Sequence, residues 1–219
     1  FWNFHMSLHL RAGDGPKEYG SIDLIRPSNW VSSFTGTFTQ SKDGLECDAS
    51  SYNDLGMTPD QIGTAFPSVF NYLTNQIYLY TTKASAAGTT TDYGCYHTAT
   101  DVVYRIGCSS TYPPVAAGLR NPPAPTNQTL PPATSGFYFG GHNSSTTNQS
   151  WMNGTTTVSH TSSPMSTCPR NIYLGASNFN GSPLQYAEGR YLVDGFCSQI
   201  YSSESALRAI FDAYRTETM

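Results

Sequence analysis

The strongest constraint on the fold is the run RYLVDGFCSQIY, residues 190–201, together with the segment after it. The run is β-branched and aromatic with apolar residues on both faces, which suits a strand covered on two sides. Ser202 or Ser203 then offers a side-chain oxygen to cap a helix, and Leu207, Ile210, Phe211 and Tyr214 recur at helical spacing as one apolar stripe. Upstream, residues 171–176 read as a short strand, and residues 178–183, dense in Asn, Gly, Ser and Pro, as a turn. Residues 171–214 are thus a strand–turn–strand–helix unit that lays a helix on a β-core.

At the other end, FWNFHMSLHL alternates from position 4: Phe4, Met6, Leu8 and Leu10 face one way, and His5, Ser7, His9 and Arg11 the other. Period 2 predicts a strand over residues 1–11 with one buried face. Trp2 and Phe4 place large aromatics where chains usually fray. The pattern admits two readings: an ordinary first strand of its own domain, or a strand that docks on a neighbouring subunit's sheet edge. In the second, Trp2, Phe4, Met6, Leu8 and Leu10 are the assembly contacts.

Short β-rich runs separated by turn residues fill the interval. Strands are predicted over residues 22–25, 35–40, 44–47, 69–82 and 101–106, with residues 52–59 a loop. Further strands fall at 136–140, 149–152, 155–159 and 172–174, and Asn153-Gly154 is a two-residue hairpin turn. Residues 109–134 hold seven of the fourteen prolines and read as a long extended insertion, because proline denies a sheet its donors. A stretch of that length is normally functional or disordered. The chain is expected to be one domain over residues 1–219: an all-β antiparallel sandwich, or jelly roll, with a short C-terminal helix.

Charged residues make up only 12%, about half the usual share, while Ser and Thr together number 52. A surface so poor in charge is wetted by hydroxyls, by attached glycans or by neighbouring subunits. The net charge of −4 gives no basic stripe to displace phosphate counterions, so nucleic acid is not an expected partner. No apolar run reaches the roughly 18–20 residues of a membrane span. No secretory leader precedes Phe1, which leaves a processed form, a fragment or a cytosolic chain. The cysteines favour the first two, and an extracellular or surface-exposed location.

From Gly136 onward the pieces GFYFGG, SWMNGTTTV, NIYLGA, NFNGSP, YLVDGFCSQIY and SSESALRAIFDAY resemble, in order, the second half of a concanavalin A-like, laminin-G-type jelly roll. Upstream, FTQSKDGLECDASSYNDLGMTP is similar to the early strand and loop of such domains in phage tail and other surface proteins. The resemblance covers about two thirds of the chain, and the Pro-rich insertion departs from it. It implies a binding or structural module, since fold alone does not fix function. It also implies a late disulfide between Cys168 and Cys197, and calcium ligation for which Asp48 and Asp54 are weak candidates.

Some proteins of this fold are glycosidases with carboxylates on alternate strand residues. Glu46 and Asp48 match two members of that pattern, roughly 6–7 Å apart, but Ser51 stands where the third belongs. His5 and His9 share a face but lie about 13 Å apart, too far for one metal. Cys95, His97 and Cys108 lack a fourth zinc ligand at a structural spacing. No catalytic, cofactor or metal site is therefore expected. Cys95 and Cys108 flank a predicted hairpin and are candidates for a local disulfide. That leaves Cys47 single, either buried or paired between subunits, or bonded to Cys197 if the first and last strands lie side by side. Sequons at Asn127, Asn143, Asn148, Asn153 and Asn180 mark glycosylation candidates; the first, second and third fall in expected loops. Two functions are expected from this set. One is a non-enzymatic extracellular structural glycoprotein that self-associates into an appendage or filament through its first strand and Pro-rich loop. The other is a carbohydrate-binding, lectin-like module using aromatics such as Trp151 or Tyr186.

Overall fold

The computed structural model describes residues 5–11, 16, 18, 22–25, 30–68, 70, 75–83, 90–100, 102–107, 115–119, 135–142, 147–152, 155–161, 167–198 and 204–218. Its elements are β1 (His5–Leu10), β2 (Ser33–Thr35), β3 (Phe38–Ser41), β4 (Gly44–Cys47), β5 (Tyr52–Asp54) and α1 (Pro59–Ala65). Next come β6 (Asn75–Lys83), β7 (Tyr93–His97), β8 (Val102–Ile106), β9 (Val115–Leu119), β10 (Gly136–His142) and β11 (Thr147–Met152). The last are β12 (Thr155–Thr161), β13 (Tyr173–Leu174), β14 (Ser177–Phe179), β15 (Ser182–Leu184), β16 (Arg190–Ser198) and α2 (Glu204–Thr218).

These strands build two eight-stranded sheets, the sandwich expected from the sequence. The first runs β12-β11-β10-β6-β16-β4-β3, and β1 also pairs with β16. In the second, β15, β14, β7, β13, β5 and β2 lie in order, with β8 and β9 continuing from the other edge of β7. Among the described strands every pairing is antiparallel except β14 with β7. Ile77, Leu79, Leu45 and Phe196 of the first sheet meet Tyr93, Cys95, Tyr104 and Leu174 of the second in one buried layer. A second layer joins Leu8, Tyr78, Tyr80, Phe137, Phe139, Val193 and Cys197 to Phe211 of α2. The first sheet is thus covered on both faces, which is why β16 carries apolar residues on both. Gly195 lets the Tyr78 ring cross β16 and donate to the Ser7 carbonyl at 3.1 Å; a side chain there would strike that ring.

Several sequence expectations need correction. The helix stripe splits: Phe211 is buried and Tyr214 packs beside it, but Ile210 is exposed. Residues 52–59 are not one loop. They contain β5 and lead into α1, capped by a box in which Thr58 accepts from Gln61 N–H and the Gln61 side chain accepts from Thr58 N–H. Residues 22–25 form no strand, only a bridge between Ile22 and Val31. The Pro-rich insertion holds a strand, β9, paired along its length with β8. The rest of residues 109–134 lies outside the described residues. Met152 pairs with Thr155, and the expected turn at Asn153-Gly154 lies outside the described residues.

The first strand departs most from expectation. It pairs with β16 of its own chain, His9 opposite Asp194 and Leu10 opposite Val193. A bulge between His5 and Ser7 breaks the alternation. Met6 therefore enters the layer between the sheets, while Leu8 and Leu10 enter the layer under α2. Ser7, His9 and Arg11, expected on an open face, are fully buried. Of the residues expected to make assembly contacts, Met6, Leu8 and Leu10 pack inside this chain, and Trp2 and Phe4 lie outside the described residues.

The interior accepts the Arg11 guanidinium of this polar face because it is paired. Arg11 Nε donates to Asp194 Oδ1 at 2.6 Å, Nη2 to Asp194 Oδ2 at 3.2 Å, and Nη1 to Asn53 Oδ1 on the opposite sheet at 3.3 Å. His9 Nδ1 sits 3.0 Å from Asp194 Oδ2, and its Nε2 lies 4.0 Å from Asp23. Burial alone would raise the Asp194 carboxyl, but Arg11 and His9 outweigh it and hold the group at about 2. The two imidazole nitrogens lie toward separate carboxylates, Asp194 and Asp23, rather than converging with them on one point.

Candidate functional site

The described residues contain one place where several aromatic rings meet at a polar surface, on the outer face of the second sheet. In β5, Asn53 points inward and is fully buried, so alternation sends Tyr52 and Asp54 outward. Tyr173 of β13 stands opposite Asp54 in register and shares that face; Ser33 and Thr35 of β2 flank it from the other side. The Tyr52 and Tyr173 rings stack with centroids 4.5 Å apart and planes at 25°. Tyr186 closes on Tyr52 from the segment before β16, at 6.4 Å and tilted 55°.

Each member is held. Thr91 N–H donates to Gln185 O at 2.7 Å and Ala187 N–H to Gly175 O at 2.9 Å, so the backbone on both sides of Tyr186 is pinned. The Asp54 carboxylate accepts from both sides of the site: Asn171 Nδ2 reaches its two oxygens at 3.0 and 3.1 Å, and Gly56 N–H reaches Oδ1 at 2.9 Å. Tyr173 is the floor, only 6% exposed, whereas Tyr52 and Tyr186 are half-buried. Burial, then the nearby Asp54 carboxylate, pushes the Tyr173 phenol up to about 12, so it remains a hydrogen-bond donor at neutral pH. A second ring pair, Tyr96 with Phe179 at 4.8 Å, lies farther along the same face. An aromatic floor edged by a fixed carboxylate and an amide is equipped to stack a flat apolar face and bond the polar groups around it.

Away from these rings a concavity lies along α1, lined by Trp30, Asp60, Gln61, Thr64 and Ala65. Its one ring, Trp30, is tilted against Phe66 with centroids 6.3 Å apart, and no second ring joins it in the lining.

The other sequence candidates are dispersed. Glu46 receives Lys83 at 2.6 Å and Arg190 at 2.7 Å, and those hydrogen bonds hold its carboxyl below the usual range. Asp48 is bound by the hydroxyls of Ser51 and Ser50, which lower it too. Neither is kept in the protonated form that a glycosidase's acid requires. Asp54 serves Asn171 rather than meeting Asp48 at an ion. His97 Nδ1 pairs with Thr100, and Cys95 faces Cys168 at 3.5 Å, so no zinc set forms from them.

The expected disulfide partners are also rearranged. Cys168 and Cys197 belong to different buried layers, on opposite sides of the first sheet. Cys47 is buried against the Ala187 carbonyl, and burial pushes its thiol up to about 11. Cys108 lies outside the described residues. Of the sequons, Asn148 falls on β11 opposite His142 and His160, not in a loop. Asn180 Nδ2 already donates to Thr98 Oγ1 at 2.6 Å, with Oδ1 accepting from Thr98 N–H. Asn127, Asn143 and Asn153 lie outside the described residues. Trp151 is on β11 of the other sheet, so only Tyr186 of the two named aromatics reaches the ring cluster. Tyr52 went unread because residues 52–59 read as a loop, and Tyr173 because it reads as a strand residue without a face; the signal available was the outward alternation Tyr-Asn-Asp at 52–54.

No family model matches the chain, and no curated protein matches its sequence. A solved structure does resemble it: domain 4 of AbnA, a GH43 extracellular arabinanase from Geobacillus stearothermophilus, in complex with arabinotriose. The TM-score is 0.52 at 13% identity, over 80% of this chain and 85% of that one. A likeness at that identity shows the β-sandwich fold. The finer resemblance to concanavalin A-like or laminin-G domains rests on the sequence pieces alone. Among the described residues no helix is long and apolar enough to cross a membrane.

Proposed function

We propose that the protein is a non-catalytic carbohydrate-binding module of an extracellular or surface-exposed protein, and that sugar rings stack on the face built by Tyr52, Tyr173 and Tyr186. The observation that carries this reading is the ring cluster itself, fixed on a rigid sheet and edged by Asp54 and Asn171. Sugar rings have one comparatively apolar face and an equator of hydroxyls. Tyrosine supplies the flat partner at little entropic cost, and a carboxylate–amide pair supplies acceptor and donor. The arabinotriose complex of the structural neighbour supports the same class of ligand without naming it for this chain. No comparable observation supports a filament subunit, because the strand proposed for assembly pairs with β16 of its own chain.

The test is a glycan array followed by calorimetry on the best oligosaccharide, with arabinotriose included. Tyr52→Ala and Tyr186→Ala are each expected to weaken binding at least tenfold, about 1.4 kcal/mol, with the thermal midpoint nearly unchanged. Binding that survives the double variant, or no binding to any glycan on the array, refutes the proposal.

A further inference from the structure

Of the four cysteines among the described residues, two face each other. Cys95 Sγ and Cys168 Sγ are 3.5 Å apart, both fully buried and 73 positions apart in the chain. Cys95 points inward from the middle of β7, opposite Tyr104 of β8. Cys168 arrives from the segment before β13, and that segment is laced down around it. Its N–H donates to Asp60 Oδ1 of α1 at 2.7 Å, Thr167 O accepts from Thr100 Oγ1 at 2.9 Å, and Ile172 N–H donates to Met57 O at 3.0 Å. A disulfide requires sulfurs about 2.05 Å apart, so closing this pair takes a shift of about 1.5 Å, within reach of small side-chain rotations.

We propose that Cys95 and Cys168 form a disulfide, and that it ties α1 and the start of the Asn171–Tyr173 arm to the second sheet. In an oxidising compartment the oxidant is a disulfide such as oxidised glutathione, or an oxidoreductase carrying one. One cysteine thiolate attacks that disulfide and releases one thiol. The second cysteine then attacks the mixed disulfide and releases the other, so two protein thiols are oxidised and one external disulfide is reduced to two thiols. Burial raises the Cys95 thiol well above its ordinary range, so the exchange belongs to folding, before the pair is covered. Among the described residues Cys47 and Cys197 have no such neighbour: Cys47 lies against the Ala187 carbonyl, and Cys197 sits in the layer under α2. The inference does not depend on sugar binding.

The experiment is peptide mapping of the full chain refolded in a glutathione redox buffer, then denatured and alkylated without reductant. A Cys95–Cys168 linked peptide is expected, with Cys47 and Cys197 alkylated. Reduction should lower the thermal midpoint by on the order of 10 °C, and the Cys95→Ser/Cys168→Ser variant should match the reduced protein without responding to reductant. Alkylated Cys95 or Cys168 in the oxidised protein, or a link from either to Cys108 or Cys197, overturns the proposal.

Discussion

Replacing Arg11 with Met tests the buried Arg11–Asp194 pair directly. In the native fold the guanidinium makes two bonds to Asp194 and one to Asn53, with Arg11 and Asp194 both fully buried. Methionine keeps part of the side-chain volume but strands the carboxylate in the interior beside His9. Breaking a buried pair in this way costs about 3–5 kcal/mol, which lowers the thermal midpoint by about 10 °C for a chain of this size. The sign of the pH response carries more information than the magnitude. Asp194 is held at about 2 against an ordinary 3.8, so it contributes about 2 kcal/mol that is present above the ordinary value and lost as pH falls through the folded one. Without Arg11, burial dominates and raises the same carboxyl. A raised carboxyl is destabilising at neutral pH and is relieved as pH falls. The stability gap between wild type and Arg11→Met should therefore be widest at pH 7 and narrow steadily toward pH 4. Urea unfolding followed by tryptophan fluorescence across that range measures it, and taking the difference cancels the other carboxylates. Arg11→Met combined with Asp194→Leu should recover most of the loss, since an apolar pair needs no counter-ion. A gap below about 1 kcal/mol at pH 7, or one that does not change with pH, would refute the reasoning.

Two more perturbations probe other layers. Phe211→Ala empties the contact between α2 and the Tyr78 and Phe137 rings, 5.7 and 5.8 Å away, and should cost about 3–5 kcal/mol in denaturant unfolding while exposing the outer face of the first sheet to hydrophobic dyes. Glu46→Gln removes the partner of Lys83 and Arg190 at a half-exposed site, so it should cost less than about 1 kcal/mol. Because the Glu46 carboxyl is lowered by Lys83 and Arg190, that small contribution is present above its ordinary value and disappears as acid protonates it, and added salt should weaken it at neutral pH.

The architecture was legible where local pattern and solvent exposure agree. The two-sided apolar run at β16 and the Phe211 side of the last helix both say directly what they bury. The first strand was misread because period 2 reports polarity rather than solvent. His9 and Arg11 look like an open face until Asp194, remote in the chain, supplies a carboxylate beside both across a bulged register. The start of α1 was legible in principle, since Thr58-Pro59-Asp60-Gln61 is a capping box with proline at the first turn. The aromatic face was not, because Tyr52, Tyr173 and Tyr186 come from three distant segments, and only the register between β5 and β13 brings two of them together. Cysteine spacing was misleading for the same reason: Cys95 meets Cys168 through the stacking of a segment onto a sheet, which spacing does not encode.

The central place of β16 also sets a timetable. It pairs with β1, β4 and β6, and its register with β1 joins His5 to Cys197. On a ribosome, none of those three earlier strands can take its final neighbour until synthesis has passed Ser198. Contacts this remote in sequence make folding slow. Meanwhile the strands of the first sheet wait with unpaired edges and bare apolar faces, the condition in which nascent chains aggregate or recruit chaperones.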